Sequence, residues 1–224
     1  MKNDLEILYE DNHLIVVVKP YNILSQSDDT KDIDMLTIIK KYLKEKYNKP
    51  GNVYLGLVHR LDRPTSGIMV FAKTSKAAAR LSKQMQDNKF TKKYLAIINK
   101  TLQENSGTFE DYLLKDKNNN SIISDEKDGK YAKLNYKVID SKDNLSLVEI
   151  ELLTGRHHQI RVQFASRGYA LYGDQRYGIE DKNQLALYAY CLEFLHPITK
   201  EILVFKKYPS GDIWNKFKKE IDLC

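Results

Sequence analysis

Asp62 lies in the stretch HRLDRPTSG, His59 to Gly67, with Arg60 and Arg63 on either side of it. A carboxylate beside guanidinium groups has its pKa lowered and stays ionised. An ionised carboxylate can act as a nucleophile in covalent catalysis. The plain alternative is an Asp that caps a turn or pairs with a neighbouring arginine. Two further stretches favour the chemical reading. LLTGRHHQIRVQ carries Arg156 and Arg161, and TKKYLAIIN carries Tyr94 with Lys92 and Lys93 just before it. Acid, arginines and aromatic ring together suit the handling of a nucleotide: charge for phosphates, a ring for stacking, an acid for the sugar or base.

Other chemistries find no foothold. His157 and His158 are adjacent and are expected to point to different sides, so they do not suit one metal ion. No HExxH and no paired-Cys pattern occurs, so no metal site is expected. There is no G-x-G-x-x-G, no P-loop and no G-x-S-x-G elbow, which argues against dinucleotide, ATP and serine-hydrolase chemistry.

The candidate residues must be positioned by elements the sequence also announces. LEILYEDNHLIVVVKP reads as two strands joined at Asp11-Asn12. DMLTIIKKYLKEKY reads as a helix capped by Asp34, with Leu36, Ile39, Tyr42 and Leu43 at helical spacing. GIMVFAKT is a buried strand, Ser75 is the expected cap of the helix KAAARLSKQMQDN, and TKKYLAIIN is a strand with Tyr94, Ala96 and Ile98 on one face. From Gly107 to about Leu153 the chain reads as β structure, interrupted by the polar KDKNNNSIISDEKDGK, a solvated loop or a long hairpin arm. HHQIRVQFASRG is a short helix ended by Gly168. LALYAYCLEFLHP and EILVFKKYP form a last β pair, followed by a short helix in GDIWNKFKKEI. Strands dominate and do not alternate regularly with helices, so the expected class is α+β with a mostly antiparallel sheet flanked by helices.

Composition agrees with this. The 224 residues are enough for a large core; 42% are hydrophobic, 29% charged, and the net charge is +6. That is a globular pattern with a moderate leaning toward polyanions. The two cysteines, Cys191 and Cys224, form no framework, which favours a reducing compartment. No signal-peptide run and no membrane span is evident, so a cytoplasmic location away from membranes is expected.

The sequence resembles the RluA-type family of RNA pseudouridine synthases over nearly its whole length. HRLDRPTSGIMVFAKT matches the family's HRLDxxTSG motif with its following strand. KKYLAIINK matches the K-x-Y-x-A segment. LLTGRHHQIRVQFASRGYALYGDQRYG matches TGRxHQIR through GDxxYG, and LALYAYCLEFLHPITKE matches the closing segment. The two long motifs together are highly specific.

The resemblance implies the pseudouridine synthase fold and a reaction that isomerises uridine in RNA without cofactor or metal. It implies Asp62 as the nucleophile, Arg161 as the cation that pairs with it, and Tyr94 as the ring that stacks on the target base. Arg60 would fill the gap left by the flipped nucleotide, and Arg156 would anchor a loop or a phosphate. Arg63, Lys92 and Lys93 complete the expected RNA contacts. The partner would be structured ribosomal or transfer RNA and the protein a monomer. Many relatives carry an N-terminal S4-type domain; here the resemblance begins within the first ten residues, so one catalytic domain over residues 1–224 is expected. Gln163, Ala170 and Tyr188 depart from the family's usual His, Pro and His. Two other functions stay open on the residues alone. One is an RNA-binding protein without turnover, against which Asp62, Tyr94 and Arg161 argue together. The other is a glycosyl hydrolase, which would ordinarily need a second carboxylate.

Overall fold

The computed structural model describes residues 5–179 and 182–223; Cys224 lies outside them. The chain divides into two compact units, Met1–Phe90 with Cys191–Lys207, and Thr91–Tyr190 with Tyr208–Cys224.

In the first unit, β1 (Ile7–Glu10) turns at Asp11 into β2 (Leu14–Lys19). The Asp11 carboxylate makes the turn by accepting the backbone N–H groups of His13 and Leu14 at 2.7 and 2.8 Å. Helix α1 (Met35–Lys46) follows. Asp34 caps it as the sequence indicates, one carboxylate oxygen taking the Thr37 N–H at 3.1 Å and the other the Thr37 hydroxyl at 2.7 Å. Such a cap is worth about 1 kcal/mol. Short β3 (Gly56–Leu57) and then β4 (Ser66–Ala72) extend the sheet, with β4 antiparallel to β2 and β3. All seven residues of β4 are buried, as a continuous apolar run requires. Helix α2 (Ser75–Gln86) is capped by Thr74 rather than Ser75. Thr74 is the last extended residue, so its hydroxyl, and not that of Ser75, reaches the Ala77 N–H, at 3.2 Å. The core gathers Leu14, Val16, Ile68, Val70, Ala77, Leu81 and Phe194. Each large side chain there contributes on the order of 1.5–3 kcal/mol by leaving water.

The second unit begins with β5 (Thr91–Ile98), which pairs antiparallel with β9 (Leu145–Leu152). Between them lie β6 (Ser106–Lys115), β7 (Ser121–Ser124) and β8 (Lys130–Lys142). The polar segment after Leu114 is the hairpin arm. Asp116 accepts the N–H groups of Asn118 and Asn120, both at 2.8 Å, and β7 returns along β6. Tyr94 to Ile98 are all buried, so both faces of β5 are covered rather than one. Helix α3 (Gln159–Ala165) ends at Gly168, whose φ of 78° is left-handed. Strand β10 (Leu187–Leu195) has its first four residues in this unit and the rest in the first, where they pair with β11 (Ile202–Lys206). The C-terminal helix is two separate turns, α4 (Asp212–Asn215) and α5 (Lys218–Ile221). The ladders within each unit are antiparallel, and the class is α+β as expected.

Candidate active site

In the first unit, Asp62 stands half-buried between two residues whose backbones are pinned. On one side the buried Ser25 hydroxyl donates to the Leu61 carbonyl at 2.7 Å and accepts the Leu61 N–H at 3.1 Å. On the other, Lys19 spreads its ammonium over three carbonyls: Pro20 at 3.0 Å, Ile23 at 2.6 Å and Arg63 at 3.0 Å. The Thr65 N–H closes the turn on the Asp62 carbonyl at 2.9 Å. His59 braces the following strand, β4, by accepting the Val70 N–H at 3.1 Å. Lys19 is wholly buried, and burial pulls its pKa down to about 7; the Arg63 charge pulls the same way and the Asp62 carboxylate opposes it.

The neighbouring arginines differ. Arg63 is engaged, its Nε bonded to Asn22 at 2.9 Å and its guanidinium paired with Asp32 at 2.7 Å, so it ties the turn to the loop before α1. Arg60 is exposed and makes no hydrogen bond or ion pair among the described residues.

In the second unit, Tyr94 is buried on β5 opposite Ile150. Lys93 is paired with Glu149 at 3.4 Å, and Glu149 also takes the Tyr190 hydroxyl. Lys92 is half-buried beside Gly155, and burial together with the Arg156 charge lowers its pKa. The TGRHHQIR stretch is a turn locked by the buried amide of Gln159. Its Oε1 accepts the Thr154 hydroxyl at 2.8 Å and the Arg156 N–H at 3.0 Å, while its Nε2 donates to the Lys133 carbonyl at 3.1 Å. Arg156 Nε donates to the Tyr131 carbonyl at 2.8 Å.

Arg161 sits on α3, 4% exposed, and Asp174 grips it with both oxygens: Nε to Oδ2 at 2.8 Å, Nη2 to Oδ1 at 2.7 Å. The Tyr177 ring lies under the guanidinium, 5.2 Å from its centroid. Asp174 is itself held by the N–H groups of Arg176 and Tyr177 at 3.0 and 3.1 Å. The segment GDQRYG is thus the cradle of Arg161. His157 and His158 do not diverge. Their rings stack at 3.7 Å, because His158 adopts a left-handed φ of 50° and the pair lies in a turn, where helical side-chain directions do not apply. His158 bonds the Tyr177 hydroxyl at 2.8 Å, and burial with the nearby Arg161 charge pushes its pKa down to about 2, so its ring is neutral.

No group of three or more His, Cys, Asp or Glu converges among the described residues, and no helix among them is long and apolar enough to cross a membrane.

The RNA pseudouridylate synthase family model matches residues 13–166. The chain belongs to the RluA-type RNA pseudouridine synthase family. An uncharacterized RNA pseudouridine synthase of Bacillus subtilis is 37% identical over 216 residues, 95% of this chain and 71% of that protein. The ribosomal large subunit pseudouridine synthase D of Zymomonas mobilis is 34% identical over 232 residues, 96% of this chain and 72% of that one. Among solved structures, human RNA pseudouridylate synthase domain containing 4 superposes with a TM-score of 0.79 at 20% identity, covering 97% of this chain and 93% of that one. Its fold is shared. As a family member the protein is an isomerase that acts on RNA and needs no cofactor for the chemistry.

Sequence reading missed Lys19, Ser25, Gln159, Asp174 and Tyr177 as site-shaping residues. Lys19 carried one signal: a lysine closing an otherwise apolar strand, LIVVVK, is a charge placed where the chain is buried.

Proposed function

We propose that the protein converts specific uridines in structured ribosomal or transfer RNA to pseudouridine, with Asp62 as the nucleophile acting on a flipped nucleotide. The observation that carries this reading is the pinning of Leu61 and Arg63 on either side of Asp62. Ser25 clamps one and Lys19 the other, so the carboxylate projects from a turn with little freedom. A pre-positioned reacting group removes much of the entropic barrier to an encounter.

In the reaction the bond from the sugar C1′ to N1 of uracil breaks, the base turns, and C5 bonds to C1′. The C5 proton is lost and a proton is gained at N1, so atoms balance with no second substrate. Asp62 serves by attacking C1′ or by taking a sugar proton to give a glycal. Tyr94 and Arg161 take the roles the family motifs assign them. Arg60, exposed and uncommitted, suits the space vacated by a flipped nucleotide, since its flat guanidinium can replace part of the lost stacking.

The test is release of tritium from RNA labelled at C5 of uridine, with the wild type and Asp62→Asn. Release by the wild type alone supports the reading, and mapping the modified position gives the substrate. Equal release by both proteins, or none from ribosomal and transfer RNA, overturns it.

A further inference from the structure

The cations of the second unit are not equivalent. Lys93 is matched by Glu149, Lys133 by Glu110 at 2.6 Å, and Arg161 by Asp174. Lys92 and Arg156 have no carboxylate partner among the described residues. They are nonetheless held near one another. Lys92 emerges from β5 against Gly155, where a Cβ added to the glycine would lie 3.7 Å from its Nζ. Arg156 is the next residue, its backbone fixed by Gln159 and its Nε by the Tyr131 carbonyl.

We propose that Lys92 and Arg156 form the seat of a single backbone phosphate of the RNA substrate, reached over the bare face of Gly155. This rests on the RNA-modifying reading above and narrows it to one phosphate at one place. Two like charges gathered at Gly155, one of them half-buried and feeling the other, raise the energy of the free protein, and an anion set against both relieves it. A phosphodiester suits the pair: a lysine provides a point charge and an arginine a planar fork of donors. Glycine at 155 leaves the approach open: apart from its chain neighbours, only Lys92 comes within 4 Å of an added Cβ. Lys93 and Arg63, both expected from sequence to touch RNA, already serve carboxylates and lack this feature.

The experiment measures RNA binding as a function of salt in the Asp62→Asn background, where turnover does not interfere. Lys92→Met, Arg156→Gln, the double variant and Gly155→Asp are compared, with melting temperatures for each. Each single neutralisation should weaken binding roughly threefold to tenfold, and the double variant little more than the worse single, because both remove the same phosphate. The slope of log affinity against log salt should fall by about 0.7–0.9 in each, the signature of one phosphate. Gly155→Asp places an internal carboxylate in the seat, so it should weaken binding while raising the melting temperature. Additive losses with twice that change in slope, unchanged binding, or a fall in both binding and stability for Gly155→Asp would each overturn the proposal. If the wild type releases no tritium yet this pattern holds, the phosphate seat stands and the isomerase reading falls.

Discussion

Arg161 and Asp174 form a two-pronged ion pair, with both side chains almost entirely removed from water. The geometry is specific to arginine: two parallel N–H donors meet two carboxylate oxygens. The aspartate is presented by the turn of GDQRYG, whose N–H groups already point at it. Loss of either partner takes from a buried charge the group that meets it with two hydrogen bonds. Asp174→Ala should therefore cost about 3–5 kcal/mol of stability, read by urea unfolding. Arg161→Lys keeps the charge but loses the fork, and should retain the fold while lowering tritium release by an order of magnitude or more. A variant with full activity would show that the fork has no part in the reaction.

The same cradle depends on a glycine. Gly173 has a φ of 71°, and an added Cβ would lie 2.2 Å from the Gln184 carbonyl oxygen. Gly173→Ala should cost about 1–2 kcal/mol for the left-handed backbone alone, and the clash with rigid backbone adds to that. It should lower the melting temperature and, by shifting Asp174, slow the reaction more than Gly155→Ala, which meets only ordinary contact. Equal effects of the two substitutions would refute the assignment.

Local features of this chain were legible because they are encoded locally. The Asp34 cap, the Asp11 turn, the helix stop at Gly168 and the hairpin in the Asn-rich segment each follow from residues within a few positions of one another. The specificity of the motifs also carried the family. What sequence spacing hid were contacts over distance. Lys19 reaches Arg63 across 44 positions and Ser25 reaches Leu61 across 36. Asp174 meets Arg161 across 13 positions, a pairing that no local pattern encodes. The His157–His158 stack departs from the expected divergence because both residues lie in a turn, where helical side-chain directions do not apply.

Lys19 makes a prediction in two parts. Lys19→Met leaves three carbonyls without their donor and frees the Arg63 side of the Asp62 turn, so turnover should fall by about tenfold or more, since small misplacements of a reacting group are costly. The pH dependence of stability follows from its lowered pKa. Between about 7 and the ordinary 10.5 the unfolded chain holds a proton at Lys19 that the folded chain has released. Stability from this group therefore rises with pH across that window. The wild type should gain stability relative to Lys19→Met on going from about pH 7 to about pH 10 in urea titrations. A constant difference would mean that the three carbonyls keep the ammonium charged throughout.

His158 carries a sensitivity of the same sign in the acid range. Its folded pKa, about 2, lies below the ordinary 6.5, so the unfolded chain binds the extra proton as pH falls through 6.5 while the folded chain does not. Stability contributed by the neutral ring is present above that value and is lost progressively below it. One proton taken up by the unfolded state alone between pH 7 and pH 5 amounts to about 2 kcal/mol. His158→Phe keeps a ring against His157 but cannot titrate or bond the Tyr177 hydroxyl. It should be less stable than the wild type at pH 7, and the gap should close by about that amount at pH 5. The measurement is urea unfolding of both proteins at the two pH values. A gap that stays constant or widens would place the proton on the folded ring, and with it a cation beside Arg161 that the turn would then have to accommodate.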